Sequence, residues 1–492
     1  MDKELTFEYI EQIYKKNNLL ENSDRKNYNL LKVQNDNIPF LFEKEGGKYK
    51  VVNYQVTSWI EDNGNFNENS LRKRIEPWLT ALFQSEHLSL LAGSGLSHAV
   101  SKIADSDYDS QSMENGKFIA FGKQINKEAE ESAKRIKRES PNIEDSLRVA
   151  NELLSGLIIL NNSVSAKNGS IIPLDNVKEL KEEIQNKLQD FANGILECEN
   201  HLILTGEIQR EKAFGSLVSF LMSFASRTGN RDRLNIFTTN YDRIIEAGAE
   251  IAGLHLLDRF VGNLMPIFRS SRLDLDMHYN PPGIRGEPRY LEGVARYTKL
   301  HGSIDWVQSG KEIRRAGVPF GATNIELYLQ SPVWANATAH ELMIYPNSAK
   351  DRETALYPYV ELFRDFAAAV CRPNSTIVAY GYSFGDEHIN RMISDMLTIP
   401  STHLVIISYS DPLNRIMDFY KKTNQKTQIS LLIGPELGAL GKVTDNYLPK
   451  PAIDKATYRL SELLKQRMGT TDQGDKKNDK SSESKLPVGG DS

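Results

Sequence analysis

Residues 88–97 read LSLLAGSGLS, an apolar run that breaks abruptly into Gly93 and Gly95 with Ser94 between them. Such a run predicts a strand. The two glycines permit φ values and close backbone approaches that a Cβ would forbid, so amide N–H groups opening the next segment can face a diphosphate. The same pattern also ends strands in tight turns that bind nothing, and alone it leaves both readings open.

Further strand-like runs lie at 234–239, 297–300, 376–380 and 404–408, with amphipathic helical patterns between or after several of them. One helix is expected after Asp386, with Ile389, Met392, Ile393, Met396 and Leu397 on one side; another runs through Val360, Phe363, Ala367, Val370 and Cys371. Short apolar strands alternating with such helices predict an α/β fold, a Rossmann-like parallel sheet covered by helices on both faces. Ligands in such sheets bind at the carboxyl ends of the strands.

At 492 residues the chain exceeds one ordinary core, which suggests roughly two to four domains. Residues 1–84 are expected to form a small α+β unit: a helix around Phe7, Ile10 and Ile13, a β-hairpin flanking Gly46 and Gly47, and a helix carrying Leu71, Ile75, Leu79 and Leu82. The main domain is expected over 85–467, with a helical insertion at about 105–200. The cleanest helix of that insertion carries Val177, Leu180, Ile184, Leu188, Phe191 and Ile195 at spacings of three and four, a stripe that suits core packing. Residues 259–293, rich in Pro, Gly and Arg, are expected as an extended loop with little structure of its own. Residues 468–492, nearly free of apolar side chains, are expected to be a disordered tail.

A net charge of −5 argues against nucleic-acid binding through bulk electrostatics. Two cysteines, Cys198 and Cys371, fit a reducing cytoplasm and are too few for a disulfide framework or a cysteine-based zinc site. No run reaches the 18 or so apolar residues that a membrane span needs, so the expectation is a cytoplasmic protein without a membrane partner.

Four strand ends carry chemistry: AGSGLS at Ala92, TTNYD at Thr238, LHGSIDW at Leu300 and GYSFGDEHIN at Gly381. Asn240 and Asp242 also suit an Asx turn, Asp386 and Ser383 suit helix N-caps, and a histidine at a strand end is often structural. Histidine is the side-chain type that ordinarily titrates near neutrality, and one at the His301 position can accept a proton from a hydroxyl or from water. As a set, these motifs resemble the sirtuin-like NAD-binding domain, specifically its bacterial anti-phage branch, over roughly residues 85–435.

The resemblance implies that Gly93, Ser94, Gly95 and Ser97 form the phosphate loop, although Ser94 stands where the family usually has Ala. It implies that Asn240 holds the nicotinamide ribose and the attacking water, that Asp242, with Thr239 beside it, positions the nicotinamide end, and that His301 is the catalytic histidine. Gly381, Ser383 and Asp386 would touch the adenosine side of NAD+; Ser408 and Asp411 would close over the adenine. His388 is the nearest rival to His301. The paired Cys-x-x-Cys elements of deacylating members are missing from the sequence, so no zinc is expected and water becomes the simplest acceptor.

The implied activity is therefore NAD+ hydrolysis to nicotinamide and ADP-ribose, depleting cellular NAD in abortive infection. ADP-ribosyl transfer, cyclisation, or a non-catalytic nucleotide-binding module are the alternatives. A homo-oligomer and a HerA-type hexameric ATPase partner are further implications of the resemblance.

Overall fold

The computed structural model describes residues 7–18, 26–33, 36–52, 59–61, 64–108, 117–135, 140–164, 174–227, 231–270, 277–279, 289–334, 337–339 and 357–450. The expected tail at 468–492 lies outside them.

The strands of the main sheet are β1 (Asn29–Lys32), β2 (Phe40–Glu45), β3 (Lys48–Val51), β4 (Asn65–Phe66), β5 (His87–Ala92), β6 (Asn235–Thr238), β7 (His255–Leu257), β8 (Val294–Lys299), β9 (Ser375–Tyr380), β10 (His403–Ser408) and β11 (Ile429–Ile433). They form one eleven-stranded sheet in the order β4-β3-β2-β1-β11-β10-β9-β5-β6-β8-β7. From β11 to β7 every neighbouring pair is parallel. The α/β, Rossmann-like class expected from the sequence is the observed one.

The central strands are buried almost without interruption, as they must be when both faces are covered, and successive side chains enter opposite cores. Leu88 and Leu90 of β5, Val378 of β9 and Val405 of β10 enter one core, while Leu91, Ile377 and Leu404 enter the other. The first core is closed by helices α2 (Glu68–Phe83), α3 (Ser94–Ala104), α7 (Glu207–Ala225) and α8 (Ile244–Ala252); the second by α1 (Phe7–Asn18), α9 (Tyr359–Val370), α10 (Glu387–Leu397) and α11 (Arg415–Lys422).

The N-terminal segment contributes strands to this same sheet. β1 runs antiparallel to β11, and β2, β3 and β4 continue outward from it. The expected hairpin is β2–β3, and its turn residues Gly46 and Gly47 have φ of 54° and 87°, the pair of positive values that a tight two-residue hairpin turn requires. The described strands between Asn29 and Phe66 therefore belong to the same sheet as β5–β11.

The insertion is helical, as expected: α4 (Gly122–Arg135), α5 (Ile143–Val164) and α6 (Leu174–Leu204). Leu180, Ile184, Leu188 and Phe191 of α6 are buried in a third core, together with Leu147 of α5 and Ile304 and Trp334 of the main domain.

The expected loop at 259–293 is corrected in part. Phe260–Val261 and Ile267–Phe268 are strands of a second, five-stranded antiparallel sheet with Trp306–Ser309, Glu312–Arg315 and Ala337–Ala339. His278–Tyr279 pairs with Arg289–Tyr290. Phe260, Phe268 and Trp306 pack on one another with ring centroids 5.0 to 6.1 Å apart, and that apolar contact outweighs the local loop-like composition. The Pro/Gly-rich stretch 280–288 lies outside the described residues.

Candidate active site

The carboxyl ends of β5, β6, β9, β10 and β11 surround a cavity of about 1530 Å³. Its wall includes Ser94, Gly95 and Ser97 of the glycine turn, Asp242 after β6, and Gly381 and Ser383 after β9. Helix α6 closes the opposite side with Lys187, Asp190, Phe191 and Cys198, so the insertion forms part of the cavity.

The glycine turn is packed for a reason that its sequence does not display. Gly93 has a φ of −100°, which any residue can adopt. Its constraint is steric: a Cβ there would stand 2.4 Å from the Gly381 carbonyl oxygen, and one at Gly95 would stand 2.6 Å from Gly381 Cα. Gly381 itself has a φ of 61° and faces Gly95 in turn. The amides of Gly93 and Gly95 donate to the carbonyls of Tyr380 and Gly381, each at 3.0 Å. Both amides thus tie the glycine turn to the end of β9.

The β6 end is tied directly to that turn. Thr238 Oγ1 donates to Ala92 O at 2.9 Å, and Thr239 N donates to the same carbonyl at 3.3 Å. Asn240 Nδ2 donates to Gly93 O at 3.0 Å and to Ser97 Oγ at 2.9 Å. Ser97 Oγ donates onward to Asp242 Oδ2 at 2.7 Å, and Asp242 Oδ1 accepts from Ile244 N at the start of α8. The Asx turn and the site constellation are therefore one structure, with one carboxylate oxygen capping a helix and the other reaching the Ser97 hydroxyl on the cavity side.

His301 follows β8 and is turned sharply by Gly302, whose φ is 84°. It is 2% exposed and, like Asn240 at 6% and Asp386 at 8%, does not line the cavity surface. Nε2 of His301 lies 3.9 Å from Asp386 Oδ2, and its ring centroid is 6.1 Å from that of His388 and 6.4 Å from that of Tyr241. Asp386 precedes α10 but its side chain makes no capping bond there. Its nearness to His301 is the more informative feature. Between Gly381 and Asp386, Phe384 holds a left-handed φ of 54°, packed on Tyr382 and Phe419.

Ser408 and Asp411 both line the cavity. Ser408 Oγ donates to Ser410 O at 2.8 Å. The Asp411 carboxylate accepts from Ile416 N and Met417 N at 3.3 and 3.0 Å, so it fastens the first turn of α11. Burial raises its pKa from the ordinary 3.8 to about 6, against the backbone N–H groups that favour the ionised form. A carboxyl raised in the folded state loses part of its stabilising effect as pH climbs from the unfolded to the folded value. The stability advantage of wild type over Asp411→Asn should therefore shrink by about 2 kcal/mol between pH 4 and 6, as read from urea melts of the two proteins at several pH values.

Several contributors escaped the sequence reading. Arg415 of α11 lines the cavity and crowds Gly385, where a Cβ would meet its guanidinium at 2.7 Å. The loop after β11 supplies Gly438, Ala439, Leu440 and Gly441 to the wall; its signal was GPELGALG directly after the apolar run ISLLI. Lys299, 2% exposed, donates to Tyr241 O at 3.3 Å, to Asp242 O and to Glu246 Oε1 at 3.0 Å, so it pins the loop 240–242 from below.

Cys198 is half-buried on the cavity wall and accepts a hydrogen bond from Tyr108, while Cys371 is exposed. Among the described residues no helix is long and apolar enough to cross a membrane.

Residues 234–428 match the family model described as SIR2-like domain. The matched stretch holds Asn240, Asp242, His301, Gly381, Ser383 and Asp386, and it begins well after the glycine turn, which joins the site through the fold. The match connects this segment with sirtuin-type domains and with NAD-related function. A comparison with curated proteins finds no match.

Proposed function

We propose that this chain hydrolyses NAD+ at the nicotinamide–ribose bond, releasing nicotinamide and ADP-ribose. The observation that carries the reading is the hydrogen-bonded series Gly93–Asn240–Ser97–Asp242 beside a cavity of about 1530 Å³ at the carboxyl ends of a parallel sheet.

In this reading the dinucleotide lies in the cavity with its ribose toward Asp242, whose carboxylate supports positive charge developing at the anomeric carbon. Water attacks that carbon, the C–N bond breaks, and nicotinamide departs as a neutral molecule with the bonding pair. His301 takes the proton lost by water, and Asp386 stabilises the resulting imidazolium. Because His301 does not line the cavity surface, turnover requires the cavity wall to shift, and the loop 381–386 with its strained Phe384 is the segment assigned to that movement.

The reading extends to abortive anti-phage defence by NAD depletion, in a homo-oligomer controlled by a HerA-type ATPase; these parts rest on the family resemblance. One alternative has a specific observation in its favour. The cavity exceeds the roughly 300–1,000 Å³ usual for a small-molecule site, leaving room for an acceptor of ADP-ribose.

Incubating the purified protein with NAD+, alone and with its genomic neighbour, tests the proposal. Equal yields of nicotinamide and ADP-ribose are expected. Nicotinamide with a modified acceptor or a cyclic product would transfer the assignment to the alternatives, and bound but uncleaved NAD+ under both conditions would leave a binding module.

A further inference from the structure

We propose that Glu199 of helix α6 is a positioning residue that holds the loop 240–242 in register with the cavity through Arg243, so the helical insertion sets the geometry of the site as well as covering it. The inference rests on the hydrolase reading for its consequence in turnover, but not for the contact itself.

The contact joins elements 44 residues apart in sequence. Glu199 is fully buried, and one of its oxygens accepts both the Arg243 backbone N–H at 2.7 Å and its Nε at 3.3 Å. The other oxygen accepts from Arg243 Nη2 at 2.6 Å. Arg243 directly follows Asp242 and precedes α8, so a carboxylate on the insertion fixes both the backbone and the side chain at that point. The guanidinium also donates to the carbonyls of Val318 and Pro319, leaving it little freedom to follow α6 alone. Burial pushes the Glu199 carboxyl up, and the Arg243 charge and hydrogen bonds oppose that rise.

On α6 the preceding residue Cys198 and, one turn earlier, Ile195 line the cavity, whereas Glu199 does not. The helix therefore faces the ligand space with one side and grips the catalytic loop with the next. A displacement of α6 moves Arg243 N, hence Asp242, hence the Ser97 hydroxyl that Asn240 also holds.

The test uses the full chain and two variants. Glu199→Gln should lower kcat for nicotinamide release by about 10- to 100-fold, the scale of a small misplacement of reacting groups, with KM within about twofold of wild type. Amide exchange over residues 238–246 should accelerate in the same variant. Glu199→Leu combined with Arg243→Met replaces the buried pair by apolar side chains and should restore thermal stability without restoring kcat, because the tether to the Arg243 N–H is still missing. Recovery of kcat along with stability in the double variant would overturn the proposal by reducing the pair to a fold element. Unchanged exchange over 238–246 in Glu199→Gln would overturn it as well. If wild type releases no nicotinamide, the hydrolase reading falls, and exchange still decides whether Glu199 orders the loop.

Discussion

Replacing His301 with alanine is expected to cut nicotinamide release from NAD+ by about 10²–10⁴-fold, the range contributed by a positioned proton acceptor. The imidazole has 2% exposure and an acidic neighbour, Asp386, 3.9 Å away. His301→Asn keeps part of the buried volume while removing the titrating group, so both variants should lose turnover even where their stabilities differ.

Asn240→Ala should fall in parallel, because Gly93 O and Ser97 Oγ then lose the donor they share. A buried group left unpaired costs about 1–3 kcal/mol, so NAD+ binding by calorimetry must accompany each rate measurement. Wild-type turnover in His301→Ala would remove this residue from the mechanism whatever Asn240→Ala did.

The second large effect is structural. Gly93→Ala places a methyl group 2.4 Å from Gly381 O and 2.6 Å from Tyr382 Cα, backbone atoms that cannot rotate away. The ends of β5 and β9 must separate, breaking the hydrogen bonds that the Gly93 and Gly95 N–H groups donate to the Tyr380 and Gly381 carbonyls. We expect a loss of about 3 kcal/mol in unfolding free energy, at the upper end of ordinary overpacking, together with loss of activity. Gly215→Ala is the control: it lies on the exposed side of α7, where a Cβ meets nothing within 4 Å, and should gain up to about 1 kcal/mol from helix propensity. Denaturant unfolding of the two variants separates these outcomes by their sign.

Strands β5, β6, β8, β9 and β10 were legible because each is an apolar run followed by a turn or a chemically marked residue. β11 has the same texture, ISLLI, yet no chemistry-bearing motif drew attention to the glycines beyond it. β1, only four residues long, is defined by its partner β11 some four hundred residues away, and nothing local announces that pairing.

The site was readable as residue types at strand ends, whereas its connectivity was not. The sequence suggests a diphosphate role for the Gly93 and Gly95 amides, but the close approach of Gly381 gives those amides other partners. Likewise the stripe on α6 was visible through its period, while Glu199 looked like one more charge in a charged helix. Its value comes from Arg243, which only the tertiary fold brings to it.

The outermost strands of the main sheet carry a consequence for solubility. β4 on one side is two residues long and β7 on the other is three. An exposed edge that short offers few unpaired backbone groups to a neighbouring molecule, so edge-to-edge growth is discouraged at both ends. The wide parallel sheet would otherwise stop at β11, five fully buried residues with an open hydrogen-bonding side. By laying β1 along it, the N-terminal segment acts as a guard against self-templating aggregation, a duty separate from any chemistry in the cavity.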